Sequence, residues 1–283
     1  MNKKAKTSNN YRILKYIKGV ICINGRIKIY SKANMLDQYA KMALVLSLTV
    51  LLYVIFDNSY IITQIILNST DFSQKLPFLS FASGETIIFT FFGILSYFFL
   101  APFRLGGDIW FYENAKKNRL PVSKLFSFYK GRKLFYSIKF VLALHLRKFL
   151  IFFLFSLPST VLGAYIFYAL NEGVGRNLLF VLSVSTAVLF ITSFFFAFVF
   201  SQRYFTAPFL YYENDFCKVK DVLILSGKIM EKRYFEVAFL KMSFIGWFLL
   251  CIFVFPTFYV YPFYKLSIST KALSLLANSE NNT

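Results

Sequence analysis

Few residues of this chain have the types and spacing that support acid–base, nucleophilic or metal chemistry. Its single histidine, His145, lies next to basic residues at the edge of an apolar stretch. Its three cysteines, Cys22, Cys217 and Cys251, form no CxxC pair, and their spacing fits neither a disulfide framework nor a zinc site. GxSxG, HExxH and Walker motifs do not occur. We therefore predict that the protein is not an enzyme and uses no metal or other cofactor.

Hydroxyl side chains are the other groups that could bind a small molecule. Five of them share one uncharged stretch: Ser183, Ser185, Thr186, Thr192 and Ser193. A transporter can bind its substrate with such groups, but small hydroxyl residues also let helices pack closely. We favour helix packing and keep transport as the alternative. The lack of charged residues inside the apolar stretches argues against a proton-coupled pump.

The elements that carry these residues are predicted to be transmembrane helices. Hydrophobic residues make up 57% of the 283 residues, and a soluble protein with this composition would expose large apolar patches. A membrane-spanning helix needs about 20 apolar residues. We predict an all-α polytopic membrane protein whose five spans are 42–56 (extended by 39–41), 86–103, 149–170, 177–202 and 242–264.

The distribution of charge predicts the orientation. The net charge is +19, from 32 Lys+Arg against 13 Asp+Glu. Basic segments (3–41, 104–148 and 203–241) alternate with segments that are not basic (57–85 and 171–176). The positive-inside rule then predicts a multi-pass protein of the cell membrane with a cytoplasmic N-terminus. Because the basic residues flank apolar spans, we expect them to meet anionic lipid head groups rather than nucleic acid.

The same pattern predicts the domain organisation. Residues 1–38 form a basic cytoplasmic arm, 39–277 a single transmembrane bundle and 278–283 a polar tail. Segments 122–146 and 219–240 mix apolar and basic residues, which predicts amphipathic helices in the head-group layer, with a soluble hairpin as the alternative. Pro158 and Pro256 are expected to kink the third and fifth spans.

A weak internal repeat links the two halves. Ala101-Pro102-Phe103 and Ala207-Pro208-Phe209 are each followed by Tyr-Glu-Asn, at Tyr112 to Asn114 and Tyr212 to Asn214. The shared order of elements suggests a duplication. Gly106-Gly107-Asp108, which follows the first copy, is interpreted as the C-terminal cap of a helix.

The stretch 240–247, Leu-Lys-Met-Ser-Phe-Ile-Gly-Trp, is the most distinctive. On one helix Ser243, Gly246 and Trp247 would share a face. We predict that the two small residues allow a close helix contact, so that Gly246→Leu destabilises the protein by roughly 1–3 kcal/mol. The alternative is that Gly246 faces lipid.

These residues resemble a known family. The resemblance rests on Pro208, Ser226, Met230, Ser243, Phe244, Ile245, Gly246, Trp247 and Pro262. In their order they look like the uncharacterised bacterial membrane family called domain of unknown function 975. The chain departs from that pattern where a glycine is expected near Glu231-Lys232, and where Pro262-Phe263 replaces Pro-Tyr. The resemblance implies architecture without a reaction, and a last helix that returns to the cytoplasm. The fifth span would then run from near Tyr234 to Phe255, with a sixth over 257–276. Lys265 and Lys271 argue against this by hydropathy, so the sixth span remains open.

The function we predict is that of a non-enzymatic membrane module, of accessory or immunity type, that acts through lipid or protein contacts. Its partners would be anionic head groups on the cytoplasmic side and a membrane protein. A permease-like transporter or channel component is the alternative.

Overall fold

The fold is all-helical in every part of the chain that the computed structural model describes, which is residues 22–68, 84–172, 175–214 and 218–280. No strand occurs in those ranges. The predicted all-α class is therefore confirmed. Cys217, most of the basic arm and most of the segment 57–85 that contributed to the orientation lie outside the described residues or side chains.

Among the described residues, three helical segments are long and apolar enough to cross a membrane: Tyr39–Phe56, Arg132–Leu170 and Asn177–Glu213. By length and composition they make this a membrane protein. The long helices are α1 (residues 22–36), α2 (Tyr39–Asn68), α3 (Gly84–Ala115), α4 (Arg132–Asn171) and α5 (Arg176–Ser201). Predicted span 86–103 lies inside α3, and the total of five spans stays a prediction.

Two of these helices run well beyond the apolar stretches. The α3 helix continues past Phe103 to Ala115 with Pro102 inside it, so Gly106 and Gly107 lie within the helix. Their interpretation as a C-terminal cap is therefore wrong. The predicted helix 122–146 is instead a 3-10 helix (Val122–Tyr129) followed by α4, with Gly131 between them at a φ of +54°. Glycine adopts this left-handed conformation without steric penalty, which explains the break.

Shorter helices follow α5. A 3-10 turn (Gln202–Tyr204) leads to α6 (Ala207–Glu213), α7 (Val219–Ile229) and α8 (Tyr234–Met242). The predicted amphipathic helix 219–240 is thus two helices. The chain turns between them, where Lys232 has a φ of +64°. This is the place where the family pattern expects a glycine.

The last part of the chain is a helical hairpin. The α9 helix (Ile245–Leu250) and α10 (Thr257–Glu280) are joined by a turn, so the prediction of one continuous span over 242–264 is wrong. Pro256 ends the turn because it lacks an N–H and constrains the residue before it. The two arms contact each other through ring pairs, and the centroid distance between Phe248 and Tyr264 is 5.1 Å.

The chain forms two compact units. Unit 1 comprises Met1–Ile27, Leu142–Gly246 and Lys271–Thr283, and unit 2 comprises Lys28–Val141 and Trp247–Thr270. Each unit is described by itself below. The predicted division into 1–38, 39–277 and 278–283 stays a prediction.

Each unit contains one copy of the sequence repeat, and each copy ends its helix in the same way. In unit 2 the Asn114 side chain donates from Nδ2 to the Trp110 carbonyl at 2.7 Å. In unit 1 the Asn214 side chain donates to the Leu210 carbonyl at 3.1 Å. Both bonds run back four residues to a carbonyl of the last turn, and the Leu210 carbonyl also accepts the backbone N–H of Asn214 at 3.0 Å.

The core of unit 2 is built around α3 and the 3-10 helix. A methyl group added at Gly106 would lie 2.1 Å from the Leu125 carbonyl oxygen, so this approach of two backbones requires glycine. Leu125 and Phe128 are buried against this end of α3. The close approach therefore holds the 3-10 helix beside the residues that form the candidate site.

Candidate functional site

The strongest candidate site lies in unit 2 and consists of Tyr53, Arg104, Asp108, Tyr261 and Lys265, here called the tyrosine–arginine cluster. The α3 helix supplies Arg104 and Asp108 one turn apart, and α10 supplies Tyr261 and Lys265 one turn apart. Lys265 Nζ donates to Asp108 Oδ1 at 2.6 Å, and Arg104 Nε donates to the Tyr53 hydroxyl. The Lys265 ammonium also lies 5.7 Å from the centroid of the Tyr261 ring. Three helices thus converge on one polar surface.

The charge of the cluster favours an anion. Arg104 and Lys265 are cationic and Asp108 is anionic, which leaves one positive charge in excess. The Lys265 and Asp108 side chains are 26% and 33% exposed, and Arg104 is exposed. In the part of the chain that the structure describes, no carboxylate pairs with Arg104. Its guanidinium can therefore offer two parallel N–H donors to a carboxylate or phosphate.

Tyr129, beside the cluster, lies in an environment that is partly shielded from water. The Tyr129 hydroxyl, at the end of the 3-10 helix, donates to the Phe99 carbonyl of α3 at 2.7 Å. Burial raises the pKa of Tyr129 to about 12, so the phenol stays protonated and remains a donor. Its ring lies 5.3 Å from the Phe99 ring. Aromatic rings with a polar tip are typical of the boundary between lipid and water.

Unit 1 contains a second lysine–carboxylate pair with different surroundings. Lys271 Nζ lies 2.7 Å from Glu236 Oε2, and the two side chains are 2% and 18% exposed. Asn24 donates from Nδ2 to the backbone carbonyl of Glu236 at 3.3 Å. With its ammonium closed to solvent, this pair serves the structure of unit 1 and offers no surface to a ligand.

The hydroxyl residues of α4 and α5 border a shallow groove of about 390 Å³ in unit 1. Ser159, Thr160 and Thr186 in its lining donate their hydroxyl protons to Ser156, Leu157 and Leu182 carbonyls at 2.8, 2.9 and 2.8 Å. Ser185 and Thr192 likewise donate to carbonyls of their own helix. These protons are not directed at a ligand.

Two of the family-like residues lie in the core of unit 1. Ser226, on α7, and Met230, at the C-terminal cap of α7, are fully buried. The Ser226 hydroxyl donates to the Arg203 carbonyl at 3.0 Å and lies 3.0 Å from the Thr206 hydroxyl oxygen. Pro208 occupies the first turn of α6, where a missing N–H is tolerated. This part of the motif is structural.

The Ser-Phe-Ile-Gly-Trp stretch does not form the predicted close contact. Ser243 and Gly246 are exposed, and a methyl group at Gly246 would meet no described atom within 4 Å. The α8 helix ends at Met242, so Ser243 does not share a helix with Gly246. The periodicity argument therefore does not apply. The open alternative, in which Gly246 faces lipid, agrees with this exposure.

The other residues of that stretch divide between core and surface. Phe244 is fully buried, whereas Ile245 and Trp247 are exposed. The Trp247 ring packs 6.3 Å from Phe263 of α10. Pro262 lies inside α10 and is buried. The stretch therefore starts the hairpin and contains no ligand site.

The acidic and histidine residues are scattered. His145 is exposed on α4, and Glu213 is exposed at the end of α6. Glu113 is nearly buried and accepts a hydrogen bond from Asn118 Nδ2 at 2.7 Å. Within the described ranges, no three His, Cys, Asp or Glu side chains group so that they could hold a metal ion.

No family model, no curated protein and no solved structure matches this chain. The resemblance to domain of unknown function 975 therefore stays a prediction. Sequence reasoning missed the tyrosine–arginine cluster because its members come from distant segments: Lys265 and Asp108 are 157 residues apart, and Arg104 and Tyr53 are 51 residues apart. One signal was available: Lys265 follows Tyr261 and Tyr264, an interfacial pattern of aromatic and basic residues.

Proposed function

We propose that this protein is a non-enzymatic module of the cell membrane, of accessory or immunity type, and that it binds anionic lipid head groups at the tyrosine–arginine cluster. The observation that carries the proposal is the exposed Arg104 guanidinium, which has no carboxylate partner among the described residues and lies beside the Tyr53 hydroxyl. The N-terminus and the cluster are on the cytoplasmic side, where basic residues concentrate.

The chemistry of the cluster fits a phosphodiester. Arg104 directly follows the apolar stretch 86–103 of α3, which brings its side chain to the level of the head groups. A phosphate accepts two parallel hydrogen bonds from a guanidinium, and the nearby hydroxyl groups satisfy further oxygens. Each basic residue near an anionic surface contributes about 1 kcal/mol. Asp108 offsets part of that attraction and also holds Lys265 in place.

Lipid retention on the purified protein tests this proposal. Native mass spectrometry would compare phosphatidylglycerol with phosphatidylcholine on the wild type and on Arg104→Gln. We expect the variant to bind phosphatidylglycerol about fivefold more weakly, since about 1 kcal/mol is lost, with phosphatidylcholine unchanged.

Arg119→Gln is the matched control for this test. Arg119 is also an exposed arginine of unit 2, but it pairs with Asp37 at 3.3 Å, with both side chains more than 60% exposed. It lies outside the cluster and should retain the wild-type preference. Equal losses in the two variants, or no loss in Arg104→Gln, would contradict binding at the cluster.

The groove between α4 and α5 is where the alternative, a permease-like transporter, can be tested, although the hydroxyl protons of Ser159, Thr160 and Thr186 are bonded within their own helices. Its lining contains Ser159, Thr160, Ser183 and Thr186. Ser183→Leu would fill the groove with an apolar side chain. Proteoliposomes that show solute or ion flux with the wild type and lose it with Ser183→Leu would favour transport over the membrane module.

A further inference from the structure

The turn between α9 and α10 exposes an unusual group of side chains. Four consecutive residues, Ile252, Phe253, Val254 and Phe255, are 77%, 72%, 68% and 88% exposed. Fully exposed large apolar residues in sequence are rare on surfaces in water, because each leaves more than a hundred Å² of apolar area hydrated. The composition of this turn therefore favours an apolar environment over water.

Most backbone N–H groups of the turn are paired within the turn. The N–H groups of Cys251, Ile252 and Phe253 donate to the carbonyls three residues earlier, and Thr257 N–H donates to the Val254 carbonyl. Pro256 has no N–H to satisfy. In hydrocarbon each unpaired backbone group costs several kcal/mol, and the N–H groups of Val254 and Phe255 have no backbone acceptor among the described residues. Burial of the four apolar side chains of the tip has to offset that cost.

The length of the hairpin matches one leaflet. Residues 242–264 carry no formal charge and lie between Lys241 and Lys265. As a single helix this stretch would be about 34 Å long and would cross the hydrocarbon core of about 30 Å. Folded at the turn, the α10 arm from Thr257 to Lys265 rises only about 12 Å, which with the turn is close to half of that core.

The two arms and their base are fixed by contacts within unit 2. Trp247 packs against Tyr259 and Phe263 at centroid distances of 6.4 and 6.3 Å. At the base of the α10 arm, Lys265 pairs with Asp108. The hairpin therefore has an ordered apolar tip at one end and a charged anchor at the other.

We propose that residues 247–264 form a re-entrant hairpin that inserts its Ile252–Phe255 tip into the hydrocarbon of the cytoplasmic leaflet and returns to the cytoplasmic side. The leaflet is assigned by the basic residues that flank the hairpin. The chain on both sides of the hairpin then lies on one face of the membrane, so the end of α10 is cytoplasmic. This inference does not depend on lipid head groups binding at the tyrosine–arginine cluster.

Depth-dependent fluorescence quenching tests the insertion. A single-cysteine variant, Val254→Cys in a background with the three native cysteines replaced by alanine, would carry the fluorophore NBD in proteoliposomes. We expect blue-shifted emission that is quenched more by doxyl groups on the acyl chain than by doxyl on the head group. Lys220→Cys, at an exposed position of α7, is the matched control and should be quenched by aqueous iodide.

Impermeant thiol labelling in the same liposomes tests the return of the chain. Lys220→Cys and Ala277→Cys precede and follow the hairpin at exposed positions. A re-entrant hairpin requires both to be labelled from the same side. Labelling from opposite sides would show a transmembrane helix and overturn the proposal.

Two further results would also overturn it. Iodide quenching at position 254 would show that the tip lies in water. Quenching that depends on the ratio of protein to lipid would show that a second protein copy, rather than lipid, covers the tip. Ile252→Cys serves as a second labelled site, so that a folding defect of one variant cannot decide the outcome.

Discussion

The α10 helix carries two lysines that pair with carboxylates in different surroundings. In unit 2 Lys265 pairs with Asp108, and the two side chains are 26% and 33% exposed. In unit 1 Lys271 pairs with Glu236, and the ammonium is almost completely buried. The two N–O distances, 2.6 and 2.7 Å, are nearly equal. Burial, and not pair geometry, therefore separates a surface that can bind an anion from a purely structural contact.

The largest effect expected from this comparison is in the buried pair. Glu236→Gln leaves the Lys271 ammonium buried without its counter-charge and should lower the free energy of unfolding by about 3–5 kcal/mol. Thermal unfolding in detergent, followed by the circular dichroism of the helices, measures this loss of stability. The double variant Glu236→Leu with Lys271→Met removes both charges and should recover most of the loss. A double variant no more stable than Glu236→Gln would show that the pair itself stabilises the unit.

Glycines give the next comparison between the units. Gly106→Ala in unit 2 would force a methyl group into the Leu125 carbonyl oxygen and should destabilise the protein by about 1–3 kcal/mol. In unit 1, a methyl at Gly227 would lie 2.8 Å from Nε of the Arg203 side chain. That side chain can move, so Gly227→Ala should lose under about 1 kcal/mol. Equal melting temperatures for the two variants would contradict this ranking.

A smaller and opposite effect is expected at the left-handed turns. Lys232 in unit 1 and Lys117 in unit 2 have φ values of +64° and +67°. An L-residue there is strained by roughly 1–2 kcal/mol, part of which glycine regains. Lys232→Gly and Lys117→Gly should each raise the free energy of unfolding by about 1 kcal/mol in the same assay, whereas Lys232→Ala should not. Destabilisation by both glycine variants would argue against strain at these positions.

The smallest change in stability is expected for the exposed pair. Asp108→Asn removes a partly exposed ion pair and should alter the free energy of unfolding by less than about 1 kcal/mol. It also removes the only anion of the tyrosine–arginine cluster, so phosphatidylglycerol retention should increase. This combination of near-normal melting and stronger lipid binding distinguishes the exposed pair from the buried one. Reduced retention would mean that Asp108 is needed chiefly to position Lys265.

Sequence patterns predicted the helical class because apolar runs such as 149–170 and 177–202 carry their signal locally. They failed to predict where a helix ends, because a helix end depends on the backbone conformation at a single position. The continuous span over 242–264 was expected from hydropathy, yet the chain folds back before Pro256. The contact predicted for Gly246 assumed one helix through Ser243, but α8 ends at Met242. Periodicity cannot reveal such breaks, because the side chains on both sides remain apolar.

Composition by itself determined that this chain belongs in a membrane, because it is a sum over many residues and tolerates local errors, whereas the orientation drawn from charge alternation stays a prediction. Only the tertiary structure decided which charged residues meet. Lys265 appeared in the sequence as an obstacle to a sixth span, and the fold brings it to Asp108 of α3. The physical reason is that an ion pair or a re-entrant turn depends on distances of a few ångströms between segments far apart in the chain, which local composition does not encode.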